Sequence, residues 1–122
     1  MALSQITSGS YLPTALTTLV TLFTDTTVGL KEFEIDLTNL PAGTVLNLSF
    51  QKIILSGGTV YQEFQNVTLS NPVAVPAAPS VGYEPIQSFM WPSDVKGFQV
   101  QAQIVSGTLP TTALDWVENG VA

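Results

Sequence analysis

The sequence contains no cysteine and no histidine, and its three basic residues are all lysines, so arginine is absent as well. Without thiols there is no disulfide framework and no thiolate metal site. Without histidine the commonest general base is missing, and Ser–His–Asp triads, Cys–His dyads and histidine-ligated zinc are impossible. These absences exclude most familiar catalytic arrangements. We therefore expect that the protein is not an enzyme and that it carries no metal ion or cofactor.

Positive charge is scarce. The chain has nine acidic residues and three lysines, which gives a formal net charge of -6, and charged residues make up only 10% of the chain. The usual share is about 25%. Binding to nucleic acids or to anionic membranes depends on basic side chains, so neither kind of partner is expected. Threonine, serine, asparagine and glutamine must supply most of the wet surface, and such an uncharged surface indicates that much of it is covered in the working state.

Long apolar runs are absent too. No stretch of about 18 apolar residues is available for a membrane-spanning helix. The start, MALSQITSGSYLP, has neither the basic residues nor the apolar run of a signal peptide. We therefore expect a chain that is made and used in soluble form. A length of 122 residues fits a single domain, and a domain of this size buries roughly two thirds of its unfolded surface.

The residues that are present favour β structure. β-Branched residues, glycine and proline dominate, and short alternating runs are separated by turn signals. We expect an N-terminal arm at residues 1–12, followed at 13–122 by an all-β domain, an antiparallel β-sandwich or β-barrel (jelly-roll or Ig-like) of seven to eight strands. In the predicted strand Thr14–Phe23, the side chains expected to share one face are Leu16, Val20 and Leu22.

Three runs define the strand pattern most clearly. In Lys31–Leu37, apolar and acidic residues alternate, which places the acids on the solvent side. The strand Thr44–Leu55 changes phase near Gln51–Lys52, and this predicts a bulge or a passage between sheets. Ser56–Thr59 is a two-glycine hairpin signal. In Gly97–Val105, apolar residues alternate with three outward glutamines.

The segment Asn71–Pro92 interrupts this pattern with five prolines and leaves room for one short strand at Ile86–Met90. A structureless segment of about 20 residues is uncommon inside a compact domain and usually has a function. Its apolar and aromatic content argues against plain disorder. We expect this loop and the arm to contact other proteins. The predicted contact residues are Ile6, Tyr11, Val75, Pro76, Pro79, Tyr83, Met90 and Trp91.

The acidic residues of the strand Lys31–Leu37 allow two interpretations. Glu32, Glu34 and Asp36 could form a calcium site or half of a glycosidase pair, and Asp25 and Asp94 in turns could each donate one further calcium ligand. A row of acids on the wet face of an edge strand is also an ordinary means of preventing edge-to-edge association. The second interpretation is the one that we adopt.

The two tryptophans differ in what their surroundings predict. Trp116 follows Leu114 at strand spacing, so we expect it in the core. Trp91 lies beside Pro92 at the end of the proline-rich loop, and it could belong to the core, to a protein contact or to a sugar-stacking site.

Several features taken together resemble a known family. An acidic strand ends in LTNLPAG, a hydrophobic strand runs into the hairpin KIILSGGTVYQEF, and a turn Trp91–Asp94 precedes QVQAQIVSGT and the strand ALDW. From Lys31 to Trp116 the chain resembles the decoration (cement) proteins of tailed-phage capsids. The resemblance implies a β-sandwich or β-barrel, a homotrimer in many cases, that binds the major capsid protein on the outer surface of the assembled head.

A protein of this kind would be made in the host cytoplasm and located on the virion. By binding only the assembled shell it would stabilise that shell through linkage. Two alternatives remain at this point. The chain could be another virion component, such as a tail or fibre module or a minor capsid protein, or it could be a carbohydrate-binding β-sandwich module that uses Trp91 and Tyr83.

Overall fold

The computed structural model describes residues 4–26, 29–53, 60–70, 86–91 and 97–120. Within these ranges the chain forms eight strands and no helix. The strands are β1 (Ser4–Tyr11), β2 (Val20–Asp25), β3 (Lys31–Asp36), β4 (Val45–Lys52), β5 (Gln62–Ser70), β6 (Ile86–Trp91), β7 (Phe98–Ser106) and β8 (Leu114–Gly120). None of the described residues belongs to a helix that is long and apolar enough to cross a membrane. The predicted hairpin Ser56–Thr59 lies outside the described residues.

The strands form two four-stranded antiparallel sheets. Sheet I has the order β1-β8-β3-β6 and sheet II has the order β2-β7-β4-β5. The first strand therefore pairs with the last, the second with the seventh, the third with the sixth and the fourth with the fifth. This pattern is a long antiparallel ribbon folded over on itself, which is the topology of a jelly roll. The predicted antiparallel β-sandwich is confirmed.

The apolar residues that alternate along the predicted strands form the core between the two sheets. The inward residues of β3 and β7 are fully buried, with Phe33 and Ile35 in sheet I facing Phe98 and Val100 in sheet II. Trp116 is 7% exposed, so its predicted place in the core is confirmed. Aromatic rings join the two sheets, since the ring centroid of Phe23 lies 5.9 Å from that of Phe33, 5.7 Å from that of Phe98 and 5.0 Å from that of Trp116.

The predicted N-terminal arm is largely a strand of sheet I. Ser4–Tyr11 forms β1 and pairs with β8 along its length. The sequence of β1 does not show the alternation of a strand, because the ring of Trp116 on β8 covers the inner face of β1 at Gly9. A Cβ added at Gly9 would lie 2.7 Å from the ring of Trp116, so the indole occupies the place of a side chain there. The apolar side chain that a strand would normally supply comes from β8 instead.

The first predicted strand differs from the structure in both extent and phase. β2 covers only Val20–Asp25, and its buried residues are Phe23 and Asp25. Leu16 and Val20, which the sequence places on one apolar face with Leu22, are 43% and 40% exposed. The reason is a bulge: in the pairing with β7 the register shifts between Thr21 and Phe23, so the intervening residue has no partner. A strict period of 2 cannot be read through such a bulge.

The irregularity near Gln51–Lys52 lies in the neighbouring strand β5, and β4 itself pairs with β7 without a shift from Leu46 to Lys52. Phe50 pairs with Gln65 and Gln51 pairs with Glu63, which leaves Phe64 as a bulge in β5. Comparable shifts leave Ile6 unpaired in β1 and Val105 unpaired in β7 against β4. β3, which the sequence places at an edge, lies between β8 and β6.

Candidate functional site

The predicted contact residues are not gathered into one place by the described part of the chain. Ile6 occupies the bulge of β1 and is 39% exposed, while Met90 is 54% exposed on the outer face of β6. Trp91 ends β6 opposite Lys31. Tyr11 is buried in the core instead of lying on a contact surface, and burial raises its pKa to about 12. The remaining four, which lie outside the described residues, are Val75, Pro76, Pro79 and Tyr83.

One outer surface is anionic. This anionic face consists of the outward carboxylates of β3 and β8, which are Glu32, Glu34, Asp36 and Asp115. On the β6 side, the exposed residues Ile86 and Met90 pair with the two ends of the β3 row. A shallow cavity of about 180 Å³ lies among Glu34, Asp36 and Asp115, and its apolar lining residues include Ile86 and Val117.

The carboxylates of the anionic face are held mainly by neutral donors. The Glu32 carboxylate accepts hydrogen bonds from Asn119 Nδ2 at 2.9 Å and from Ser88 Oγ at 3.4 Å. Partial burial, together with the charge of Glu32 and a hydrogen bond to it, raises the pKa of Glu34. Among the described residues, no three carboxylates are arranged to hold a metal ion. The calcium interpretation of the acidic strand therefore gains no support.

The opposite outer surface, on sheet II, is composed of amides and hydroxyls. We call it the amide face; its hydrogen-bonded members are Thr21, Thr24, Asn47, Ser49, Gln51, Glu63, Asn66, Thr68, Gln99 and Gln101. Glu63 is the one acidic member. Of the described lysines, Lys31 is buried in the core and Lys52 lies over the ring of Phe64 at 4.9 Å from its centroid. The two outer faces of the sandwich therefore differ sharply in charge.

Gln51 is the centre of the amide face on β4. Its Nε2 donates to Gln101 Oε1 at 2.8 Å, and its Oε1 accepts from Gln99 Nε2 at 2.9 Å. From β7 the chain of bonds continues to β2, since Gln101 Nε2 donates to Thr21 Oγ1 at 3.1 Å and Thr24 Oγ1 donates to Gln99 Oε1 at 3.2 Å. These bonds fix the orientation of three long, otherwise flexible side chains.

Toward β5 the same network continues through Ser49, which accepts from Gln51 Nε2 at 3.1 Å and donates to Glu63. Asn66 donates to the same Glu63 oxygen at 3.1 Å, and Asn47 and Asn66 exchange hydrogen bonds at 2.6 and 3.2 Å. The hydrogen bonds from Ser49 and Asn66 lower the pKa of Glu63. The network thus spans all four strands of sheet II.

A cluster of ionisable groups lies inside the sandwich. Lys31 Nζ is 2.7 Å from Asp25 Oδ2, and the two side chains are only 1% and 6% exposed. Glu118, on the strand next to β3, is fully buried. Neither Glu118 oxygen has a hydrogen bond of ordinary distance and angle among the described residues. Asp25, which the sequence places in a turn as a possible metal ligand, is instead the buried partner of a lysine.

Each member of this buried cluster continues the inward face of its strand. Asp25 follows Phe23 by two residues, Glu118 follows Trp116 by two, and Lys31 precedes Phe33 by two. Burial and the close approach of the Asp25 carboxylate raise the pKa of Glu118 to about 8, while Lys31 acts in the opposite direction. A signal for this cluster exists in the sequence, because all three residues occupy positions that alternation directs inward.

Exposed apolar side chains gather around the connection from β1 to β2. Leu12, Leu16 and Leu19 are 52%, 43% and 51% exposed. The connection is tied to β7, since Thr17 N donates to Ile104 O at 2.7 Å. It is therefore anchored to sheet II at this point, and its leucines are exposed beside that sheet.

Comparison with protein-family models, with curated proteins and with solved structures gives no match for this chain. Its function must therefore be inferred from the two outer faces, the exposed leucines between β1 and β2, and the buried cluster.

Proposed function

We propose that the protein is a virion structural protein, a capsid decoration protein that binds the major capsid protein on the outer surface of an assembled phage head. The observation that carries the proposal is the amide face. It is a broad, nearly uncharged surface whose side chains are already oriented by hydrogen bonds across all four strands of sheet II.

Such a face suits attachment to another protein for two reasons. Charged groups are costly to remove from water, and the only carboxylate of this network is Glu63, which already accepts two hydrogen bonds. Side chains that are fixed before binding also lose less conformational entropy when a partner arrives, and each immobilised long side chain costs about 0.5–1.5 kcal/mol otherwise. The amide face is therefore prepared for a polar interface.

The distribution of charge supports an outward and an inward side. The four carboxylates of the anionic face belong to sheet I, on the far side of the sandwich from the amide face. A decoration protein that attached through the amide face would present carboxylates to solvent, where like charges on neighbouring particles keep them apart. The exposed leucines of the β1–β2 connection lie beside sheet II and would add apolar contact area.

Attachment through several copies would compensate for a modest affinity per copy. A homotrimer that engages three equivalent sites converts the second and third contacts into intramolecular events, which raises the overall affinity steeply. Binding confined to the assembled shell stabilises that shell by mass action.

Co-sedimentation with assembled phage shells tests the proposal. We expect Gln101→Arg, which places a long cation in the middle of the amide face, to reduce the amount of protein that sediments with shells. The matched control is Glu34→Gln on the anionic face, which should sediment as the parent chain does. Circular dichroism verifies that both variants keep the fold. If the two variants bind shells equally well, the amide face is not the attachment surface; if the parent chain does not bind shells, the decoration function is wrong.

The amide face also favours a second function, a carbohydrate-binding module of the jelly-roll type found in lectins. Carboxamides and hydroxyls in fixed orientations can bond to sugar hydroxyls. Among the described residues, however, the hydrogen-bonded members of this face include no aromatic ring on which a sugar could stack. A glycan array separates the two functions: binding to a defined glycan that Gln101→Arg abolishes would establish the lectin function.

A further inference from the structure

We infer that Lys31 and Asp25 condense to an intramolecular amide that joins sheet I to sheet II, with Glu118 as the residue that relays the proton. This inference goes beyond the proposed function and does not depend on it. The observation behind it is the juxtaposition of an amine, a carboxylate and a third carboxyl group inside the sandwich, all but sealed from solvent.

The reacting groups are already in contact. Lys31 Nζ lies 2.7 Å from Asp25 Oδ2, so the nitrogen needs only a small rotation of either side chain to approach the carboxyl carbon. Both side chains are held, because Asp25 ends β2, where it pairs with Phe98, and Lys31 begins β3 between β8 and β6. Fixed reactants of this kind react with a large advantage over the same groups free in solution.

The ion pair lies in apolar surroundings. Phe23, Phe33 and Trp116 each lie two positions from a member of the cluster on the same inward face, and their rings contact one another at centroid distances of 5.0–6.2 Å. An ion pair in such apolar surroundings bears a large desolvation penalty. Transfer of one proton from the ammonium to the carboxylate removes both charges and leaves a nucleophilic amine beside a carboxylic acid.

The condensation is balanced without any further reactant. The lone pair of Lys31 Nζ attacks the Asp25 carboxyl carbon, a C–N bond forms, and one C–O bond of the carboxyl group breaks. Of the three protons on the original ammonium, one stays on the amide nitrogen and two leave with the departing oxygen as water. The products are a neutral amide and one water molecule, so the buried ion pair disappears.

Glu118 is placed to move the protons. It lies on β8 opposite Phe33, one diagonal step from Lys31 on the same inward face, and interacts with both members of the pair. Burial keeps its carboxyl group protonated at neutral pH. A neutral acid in that position can donate a proton to the departing oxygen and recover one from the nitrogen, as a general acid and base does.

The measurement is the intact mass of the purified, denatured protein by electrospray mass spectrometry. We expect a mass lower by one water molecule than the sequence requires. Trypsin supplies the location: with no arginine present it cuts only after the three lysines, and an acylated Lys31 resists cleavage. A water loss accompanied by normal cleavage at Lys31 indicates a succinimide elsewhere and overturns the inference, as does a full mass after prolonged incubation at neutral and mildly acidic pH.

Three variants make the test specific. Lys31→Met should keep its full mass. Asp25→Asn should lose ammonia instead of water, because the leaving group is then an amide nitrogen, and this outcome identifies the acyl donor even if another variant fails to fold. Glu118→Gln should fold but form the amide slower by about 10²-fold or more. The matched control, Asp115→Asn on the exposed side of β8, should react as the parent chain does. Equal rates in both β8 variants would remove Glu118 from the reaction.

Discussion

Replacing Glu118 with glutamine should abolish a large part of the pH dependence of stability. Glu118 is fully buried, and burial is the largest of the causes that raise its pKa from 4.5 to about 8. That cause is the same whether Lys31 and Asp25 form an ion pair or an amide. The side chain of glutamine has nearly the same shape and remains neutral at every pH, so the substitution isolates the cost of the charge.

The direction in which the free energy of unfolding changes with pH depends on whether the folded or the unfolded chain holds the Glu118 proton. Between pH 4.5 and about 8 the folded protein retains the Glu118 proton and the unfolded chain has lost it. The free energy of unfolding therefore falls as the pH rises through this window and levels off above about 8. With 1.36 kcal/mol for each pKa unit, the loss is on the order of 4–5 kcal/mol. Since domains are usually stable by about 5–15 kcal/mol, such a loss is a large fraction of the total.

The assay is urea denaturation of the parent chain and of Glu118→Gln across this pH window, followed by circular dichroism. We expect the free energy of unfolding of the parent to fall by roughly 4–5 kcal/mol between the lower and the upper limit, while that of the variant stays nearly constant. A constant offset between the two chains, which the amide would cause, does not affect this comparison. Asp115→Asn, which removes an exposed carboxylate from the same strand, controls for net charge and should follow the parent. Parallel curves for parent and Glu118→Gln would refute the reasoning.

Three further substitutions test the packing by the same denaturation measurement. Phe33→Ala empties a fully buried site in contact with rings of both sheets and should cost about 3–5 kcal/mol. A cost below about 1 kcal/mol would contradict the core assignment. Gly107→Ala should lower the free energy of unfolding by roughly 1–3 kcal/mol, because φ is +102° and the new Cβ would lie 2.6 Å from the Cα of Thr44. Gly43→Ala, at φ +80° but with no atom near the new Cβ, should lower it by less. Tyr11→Phe removes a buried hydroxyl that has no hydrogen-bond partner among the described residues, so stability should stay the same or rise by up to about 1 kcal/mol; a clear loss would show that the hydroxyl is satisfied.

Alternation was sufficient to predict the strands whose inner faces carry their own apolar side chains. β7 reads directly from the sequence, since its inward residues from Phe98 to Ile104 are apolar and buried. In β3 and β8 the same alternation is carried by Phe33 and Ile35 and by Leu114 and Trp116. β1 could not be predicted in this way because the ring of Trp116 covers Gly9, and β2 could not because the bulge at Leu22 shifts its phase. In both cases the missing information lies in the partner strand.

The surfaces were less predictable than the core. The outward glutamines of β7 were evident from the sequence, but their bonding to Gln51 and Thr21 depends on the strand order β2-β7-β4-β5, which pairs strands distant in the chain. The buried cluster was overlooked because charged residues are almost never fully buried unless they are paired. The opposite charges of Lys31 and Glu118 at inward positions of neighbouring strands were the available sign of such pairing.

The bulges in the edge strands affect how copies of this chain can associate through their sheet edges. Of the four edge strands, β1, β2 and β5 each contain an unpaired extra residue, and such irregularities discourage the addition of a foreign strand. β6 is the edge whose described pairing runs without a shift. A molecule with a single receptive edge can join one other through a two-fold contact, and that pair is closed. Growth into fibrils through sheet edges is thereby disfavoured, and we expect any larger array to be assembled through the faces of the sandwich.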